Sequence, residues 1–145
     1  MNFKNLSILI LCLITFNVVK GQERFLTDSN DTKALSQKVT ELFKENKISL
    51  AMKELKLYWP LPVNELDVLE EKTVKYLNMV EQRFGKAEGT IKINEQKIKD
   101  IAIRETYFVL YQNTAIRLIY IYYKNKNGWV IGGFKWDDSF IEEFK

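Results

Sequence analysis

The side chains able to do chemistry in this chain are few in kind. Its 145 residues include no histidine, and the single cysteine, Cys12, lies in an apolar run near the N-terminus. Beyond residue 21 this excludes disulfides, thiol nucleophiles and zinc held by Cys or His. It also excludes any mechanism that passes a proton through imidazole, the Ser-His-Asp arrangement included. Catalysis would fall to Asp, Glu, Lys, Tyr or Arg. The adjacent acids Asp137 and Asp138 follow Trp136, and a carboxylate pair can do acid–base work when one member is desolvated and its pKa rises. The simpler reading is that Asp138 or Ser139 caps a short terminal turn holding Phe140, Ile141 and Phe144. No residue is assigned a catalytic role, and nothing in these residue types requires a metal or a cofactor.

Arg104 and Arg117 stand among apolar neighbours. Arginine is rarely buried without a partner, so each must reach a carboxylate, a ligand anion or the margin of the sheet. Structural pairing is the ordinary outcome. If a ligand binds, Arg117 with Tyr111, Tyr120, Tyr122 and Trp136 is the first set to test. A tyrosine-rich strand is otherwise amphipathic packing, with hydroxyls reaching the rim.

These residues sit in three strand-like runs, Ile103–Gln112, Ala115–Lys124 and Trp129–Trp136, rich in β-branched and aromatic side chains. Asn113-Thr114 and Asn125–Gly128 break them, and Asn127-Gly128 is a strong hairpin signal. A two-residue turn at Asn113-Thr114 puts Ile103, Glu105, Tyr107, Val109, Tyr111, Ile116, Leu118, Tyr120 and Tyr122 on one face. Arg104, Thr106, Phe108, Leu110, Gln112, Ala115, Arg117, Ile119, Ile121 and Tyr123 take the other. A tight turn at Asn127-Gly128 adds Trp129 and Ile131 to the first face and Phe134 and Trp136 to the second. The candidate ligand residues therefore straddle both faces. Neither face is polar, whereas an antiparallel sheet with one wet side alternates polar and apolar. Both faces need cover. Gly132-Gly133 either bulges the last strand or makes room for Tyr122 and Tyr123 across the ladder. Upstream, in Lys86–Asp100, Ile91, Ile93, Ile98 and Ile101 suggest a lysine-rich edge strand with a bend or turn near Asn94–Lys97.

Three helices are available as cover. Asp31 can cap one from Thr32 to about Asn46, with Leu35, Val39, Leu42 and Phe43 as its apolar stripe. A shorter one spans Ser49–Tyr58 and stops at Pro60 and Pro62. Asn64 can cap a third, whose stripe is Leu66, Leu69, Thr73, Leu77, Val80 and Phe84, with Gly85 as its stop. Its opposite face of Glu70, Glu71, Lys72, Lys75 and Gln82 reads as a solvated surface.

Residues 1–21 read as a secretory signal peptide. Lys4 supplies the positive n-region, Leu6–Val19 the apolar core, and Val19 and Gly21 the small residues of a cleavage site. A membrane anchor is the alternative, but a span needs about 20 apolar residues, and Asn17 and Lys20 interrupt this one. Residues 22–31 then form a flexible leader and 32–145 a single domain, secreted or periplasmic. Taking the two lysines of residues 1–21 from the formal net charge of +3 leaves +1, which gives no reason to expect nucleic acid.

The layout resembles the NTF2-like (cystatin-like α+β) superfamily, in particular its small secreted members of uncharacterised role. The resemblance rests on three N-terminal helices, the YWPLP break at Tyr58–Pro62 and the long helix ending in Phe84-Gly85. It rests also on the closing pattern of Trp129, Ile131, Phe134, Trp136, Asp137 and Asp138. It implies an α+β cone, with N-terminal helices packed on a curved antiparallel sheet, a pocket between them, and frequent dimerisation through the sheet. The superfamily holds both enzymes and binding modules. Its steroid isomerases use an Asp base with Tyr and protonated Asp donors; Asp100, Tyr58, Tyr107 and Tyr120 are of those types, but no motif carries the roles over. The expectation is a non-catalytic domain binding a small apolar or amphipathic ligand or a protein partner, and a homodimer. A metal-free Asp/Tyr isomerase or hydrolase, or a structural envelope-associated module, are the alternatives.

Overall fold

The computed structural model describes residues 24–139 and 141–144; the expected signal peptide and Phe140 lie outside them. Among the described residues, no helix is long and apolar enough to cross a membrane. Of the stretch expected as a flexible leader, the described residues 24–31 run into the domain. Leu26 exchanges backbone hydrogen bonds with Trp129 (2.9 and 2.8 Å) and is buried.

Helix α1 spans Ser29–Lys44 and is capped by Asp28, not Asp31. The Asp28 carboxylate accepts from the backbone N–H groups of Asn30 (2.7 Å) and Asp31 (3.1 Å), while Asp31 accepts from Thr27 N–H (2.9 Å). This reciprocal satisfaction of free amides works like a capping box and starts the helix ahead of Thr32. Helices α2 (Ile48–Lys56) and α3 (Val63–Phe84) follow. No side chain caps α3: the Pro62 carbonyl accepts from Glu65 and Leu66 instead of Asn64 serving as cap. Gly85, at φ 78°, ends it, a conformation that glycine adopts without a Cβ penalty.

The sheet is a four-stranded antiparallel meander in sequence order: β1 (Gly89–Ile98), β2 (Ala102–Leu110), β3 (Ala115–Asn125) and β4 (Gly128–Asp137). The fold is thus α+β, three helices on one antiparallel sheet. β1 is an edge strand, bulged between Lys92 and Asn94. Between β2 and β3 the ladder closes at Leu110↔Ala115, so Tyr111–Thr114 form the connection rather than Asn113-Thr114 alone. That register differs from the expected one by two residues, and because side chains alternate with period two each keeps its expected face.

β4 does not keep its register. Tyr122 pairs with Ile131 but Ile121 pairs with Gly133, leaving Gly132 as the extra residue of a bulge. Past it the parity flips: Phe134 opposes Tyr120 and Trp136 opposes Leu118. Phe134 and Trp136 therefore join the helix-facing side, which corrects the second-face placement of a regular strand. Phe134 meets Phe43, Trp59 and Tyr120 at centroid distances of 5.6, 6.3 and 5.1 Å. The core lies here, between the helices and this side of the sheet, with Val39, Ala51, Met52, Leu55 and Leu118 fully enclosed. A one-turn 3-10 helix, η1 (Ile141–Phe144), ends the described chain.

Candidate functional site

Under α1 the sheet is lined by polar groups that bond to one another. Thr32, Ser36 and Thr40, at successive i, i+4 positions, present a stripe of hydroxyls to the strands, all buried. Ser36 shares a hydrogen bond with the Tyr122 hydroxyl (2.7 Å) and Thr40 with that of Tyr120 (2.9 Å). Thr32 donates to Glu105 (3.2 Å), which also accepts from the Tyr107 hydroxyl (3.2 Å) and has Lys92 Nζ at 3.7 Å. Burial raises the Tyr120 and Tyr122 hydroxyls above their ordinary pKa; burial, then the Glu105 charge, does the same to Tyr107. Neutral phenols at every physiological pH, they serve as fixed hydrogen-bonding groups. Glu105 is enclosed by the chain's own hydroxyls and a lysine, an arrangement that satisfies a buried charge.

Tyr111 and Trp136 lie farther along the same side, against α3. Trp136 stacks on Tyr76 (4.4 Å, 26°) and donates from Nε1 to Thr73 Oγ1 (2.9 Å). Burial, with Glu81 and Tyr76 nearby, pushes the Tyr111 hydroxyl up to about 12.

Arg117 is on the outer side, with the sheet between it and these aromatics. It is 0 % exposed. Nε and Nη2 donate to the two oxygens of Asp137 (both 2.9 Å), Nη1 to Glu143 (2.7 Å) and Nη2 to Glu142 (2.9 Å). The bidentate fork and the added carboxylates are a strong charge-assisted arrangement. Burial pushes the Asp137 carboxyl up, but the bonds from Arg117, from Ser139 N–H and from Lys135 outweigh it and hold it below its ordinary range. Asp137, accepting from Ser139 (3.1 Å), makes the turn into η1.

The structure thus brings Tyr120 and Tyr122 together beneath α1, sets Tyr111 and Trp136 against α3, and leaves Arg117 on the far side. Comparison with protein-family models, with curated proteins and with solved structures found no match. Function has to be read from geometry.

The candidate ligand residues leave out the surface that stands out, although it lies on the sheet face that the sequence left in need of cover. At the end of the outer face away from Arg117, Ile98, Ala102, Tyr123 and Val130 form one row across the sheet and Gln96, Arg104, Ile121 and Gly133 the next. Ile98, Ile121 and Tyr123 are 65, 43 and 52 % exposed. Gly132 and Gly133 have no positive φ, and a Cβ on either would meet its neighbours at 3.6 Å or beyond. Neither backbone strain nor crowding requires glycine at both positions, and their bareness leaves Ile121 and Tyr123 uncovered. Glycine in a strand interior can mark close approach by another chain. The strand-face alternation held this signal, since Ile121 and Tyr123 fall on the face that lacked helical cover.

Proposed function

We propose that this chain is an exported, non-catalytic binding domain of the NTF2-like kind whose working surface is the outer face of its sheet. The observation that carries the reading is the exposed cluster of Ile98, Ile121 and Tyr123 beside the bare Gly132-Gly133 shelf. A contiguous apolar patch of this sort marks an interaction site. Three helices followed by a four-stranded antiparallel sheet support the superfamily reading. The interior supports a binding role over catalysis: Glu105, Tyr107, Tyr120 and Tyr122 spend their polar atoms on one another and on α1. A protein partner fits better than a small apolar ligand because the patch is an open sheet surface.

The test is to express the whole chain in an exporting host, read its intact mass, and examine it by native mass spectrometry and light scattering. The expected result is a chain shortened by residues 1–21 that self-associates, with Ile121→Lys folded but monomeric. An unprocessed chain overturns export. A protein that stays monomeric and carries no ligand overturns the outer-face reading.

A further inference from the structure

Two polar groups on the outer face are left unspent by the chain itself. Arg104 and Thr106 stand two residues apart in β2, so both side chains belong to that face. Thr106 is 1 % exposed, and its Oγ1 has no hydrogen-bond partner among the described residues; the buried Nε of Arg104 has none either. Most buried polar groups in a folded protein are paired, and an exception asks for an explanation. The other arginine of this face shows the contrast. Arg117, opposite Phe108 and one row beyond Thr106, spends its guanidinium on Asp137, Glu142 and Glu143. Glu143 is 2.7 Å from Arg117 Nη1 but 3.8 Å from Arg104 Nη2, too far for a hydrogen bond. On its other side Arg104 meets the apolar surface. Ile121 is opposite it in the ladder, and Tyr123, Ala102 and Ile98 form the next row.

We propose that Arg104 and Thr106 anchor an acidic–apolar peptide segment of a partner protein. The segment's Asp or Glu carboxylate is taken by the Arg104 fork and the Thr106 hydroxyl, and the apolar residues that follow it lie over Ile121, Tyr123 and Ile98. This rests on the outer-face reading and adds the chemistry of the partner. Nε and Nη of an arginine receive a carboxylate through two parallel hydrogen bonds, as Arg117 receives Asp137. With 42 % of its side chain exposed, Arg104 has room to turn that edge towards an incoming acid. A carboxylate suits the place better than a phosphate, because Glu143 already lies beside Arg104 and repels the larger charge. Successive rows of the face are two residues, roughly 7 Å, apart along a strand. An extended segment with its acid at Arg104 therefore brings the residues two and four positions on over the apolar rows. Gly133, across from Ile121, raises no side chain and lets the segment's backbone come close.

The probe is a fluorescein-labelled, end-blocked peptide, Gly-Ser-Glu-Ser-Ile-Ser-Phe-Gly, with a control carrying Gln in place of its Glu. Anisotropy titrations compare the exported protein with its Arg104→Gln, Thr106→Val and Ile121→Ser variants. The Glu peptide should bind the exported protein roughly tenfold or more tightly than the Gln control, the worth of a charge-assisted pair. Arg104→Gln should abolish that preference. Thr106→Val removes a hydroxyl that has no partner, so it should weaken the Glu peptide several-fold while leaving the urea midpoint unchanged. Ile121→Ser should weaken both peptides alike. Equal binding of the two peptides, or a preference for Glu that survives Arg104→Gln, overturns the anchor; the outer-face reading then stands if Ile121→Ser still weakens both. A preference that depends on Arg104 but ignores Ile121→Ser keeps the anchor and overturns the apolar half. No binding of either peptide overturns the proposal, whereas the outer-face reading is decided separately by self-association and its loss in Ile121→Lys.

Discussion

Arg117 is where one residue holds most structure. It is the largest fully buried side chain among the described residues, and it ties β4 through Asp137 and η1 through Glu142 and Glu143. Arg117→Met keeps the bulk and removes the charge, leaving Glu143 and Asp137 partly buried without the guanidinium, with only Arg104 and Lys135 near them among the described residues. Breaking such a group costs about 3 kcal/mol, the lower end of the range, because Asp137 and Glu142 retain contact with water. The check is urea denaturation, with loss of η1 contacts followed by hydrogen exchange. The expectation that arginine on this face must be paired holds, and it was legible from residue type alone. Its partners were not: Asp137 stood as a possible acid–base group or a neighbour of a cap, and only pairing across β3 and β4 sets it against Arg117.

Gly132 decides more at the scale of the element. As the extra residue of the β4 bulge it puts Phe134 and Trp136 into the core. Deleting Gly132 would restore regular alternation and drive both aromatics to the outer face, so the chain should lose its cooperative transition. Gly132→Ala keeps the bulge and sets its Cβ 3.6 Å from that of Tyr123, an ordinary contact; its cost should stay below about 1 kcal/mol. Near-ultraviolet circular dichroism, to which Trp136 and its stack on Tyr76 contribute, separates the two outcomes. The Gly-Gly pair announced a possible bulge, yet a bulge and simple room for Tyr122 and Tyr123 leave the same sequence trace. The α1 hydroxyl stripe was likewise written in the spacing of Thr32, Ser36 and Thr40 and passed over, because its meaning depends on Glu105, Tyr120 and Tyr122 facing it.

For the molecule as a whole, ionisation frames a plateau of stability. Hydrogen bonds from Lys56 hold Glu70, and from Lys92 hold Glu95, below their ordinary range, as the Arg117 group does Asp137. A lowered folded-state pKa stabilises above the unfolded value and is lost as pH falls through the folded one, so stability should decline below about pH 4. Tyr107, Tyr111, Tyr120 and Tyr122 are raised, chiefly by burial. Their contribution is complete below the unfolded tyrosine pKa and lost above it, so stability should fall again past about pH 10. Chemical denaturation across pH, with phenolate absorbance followed at the alkaline end, should show ionisation arriving together with unfolding.

The sequence by itself determined the class of the molecule. Periodic stripes place the three helices, strand composition and turn residues place the meander, and the lack of histidine and of cysteine beyond Cys12 excludes whole families of chemistry. Those are local properties, fixed by spacing and residue type. Only the tertiary structure decided which face each late aromatic occupies, what Arg117 binds and where apolar surface stays bare. A single unpaired residue at Gly132 reverses the parity of everything after it in β4, and the partners of Arg117 lie 20 or more positions away in sequence. No local pattern encodes a pairing that only the folded sheet creates.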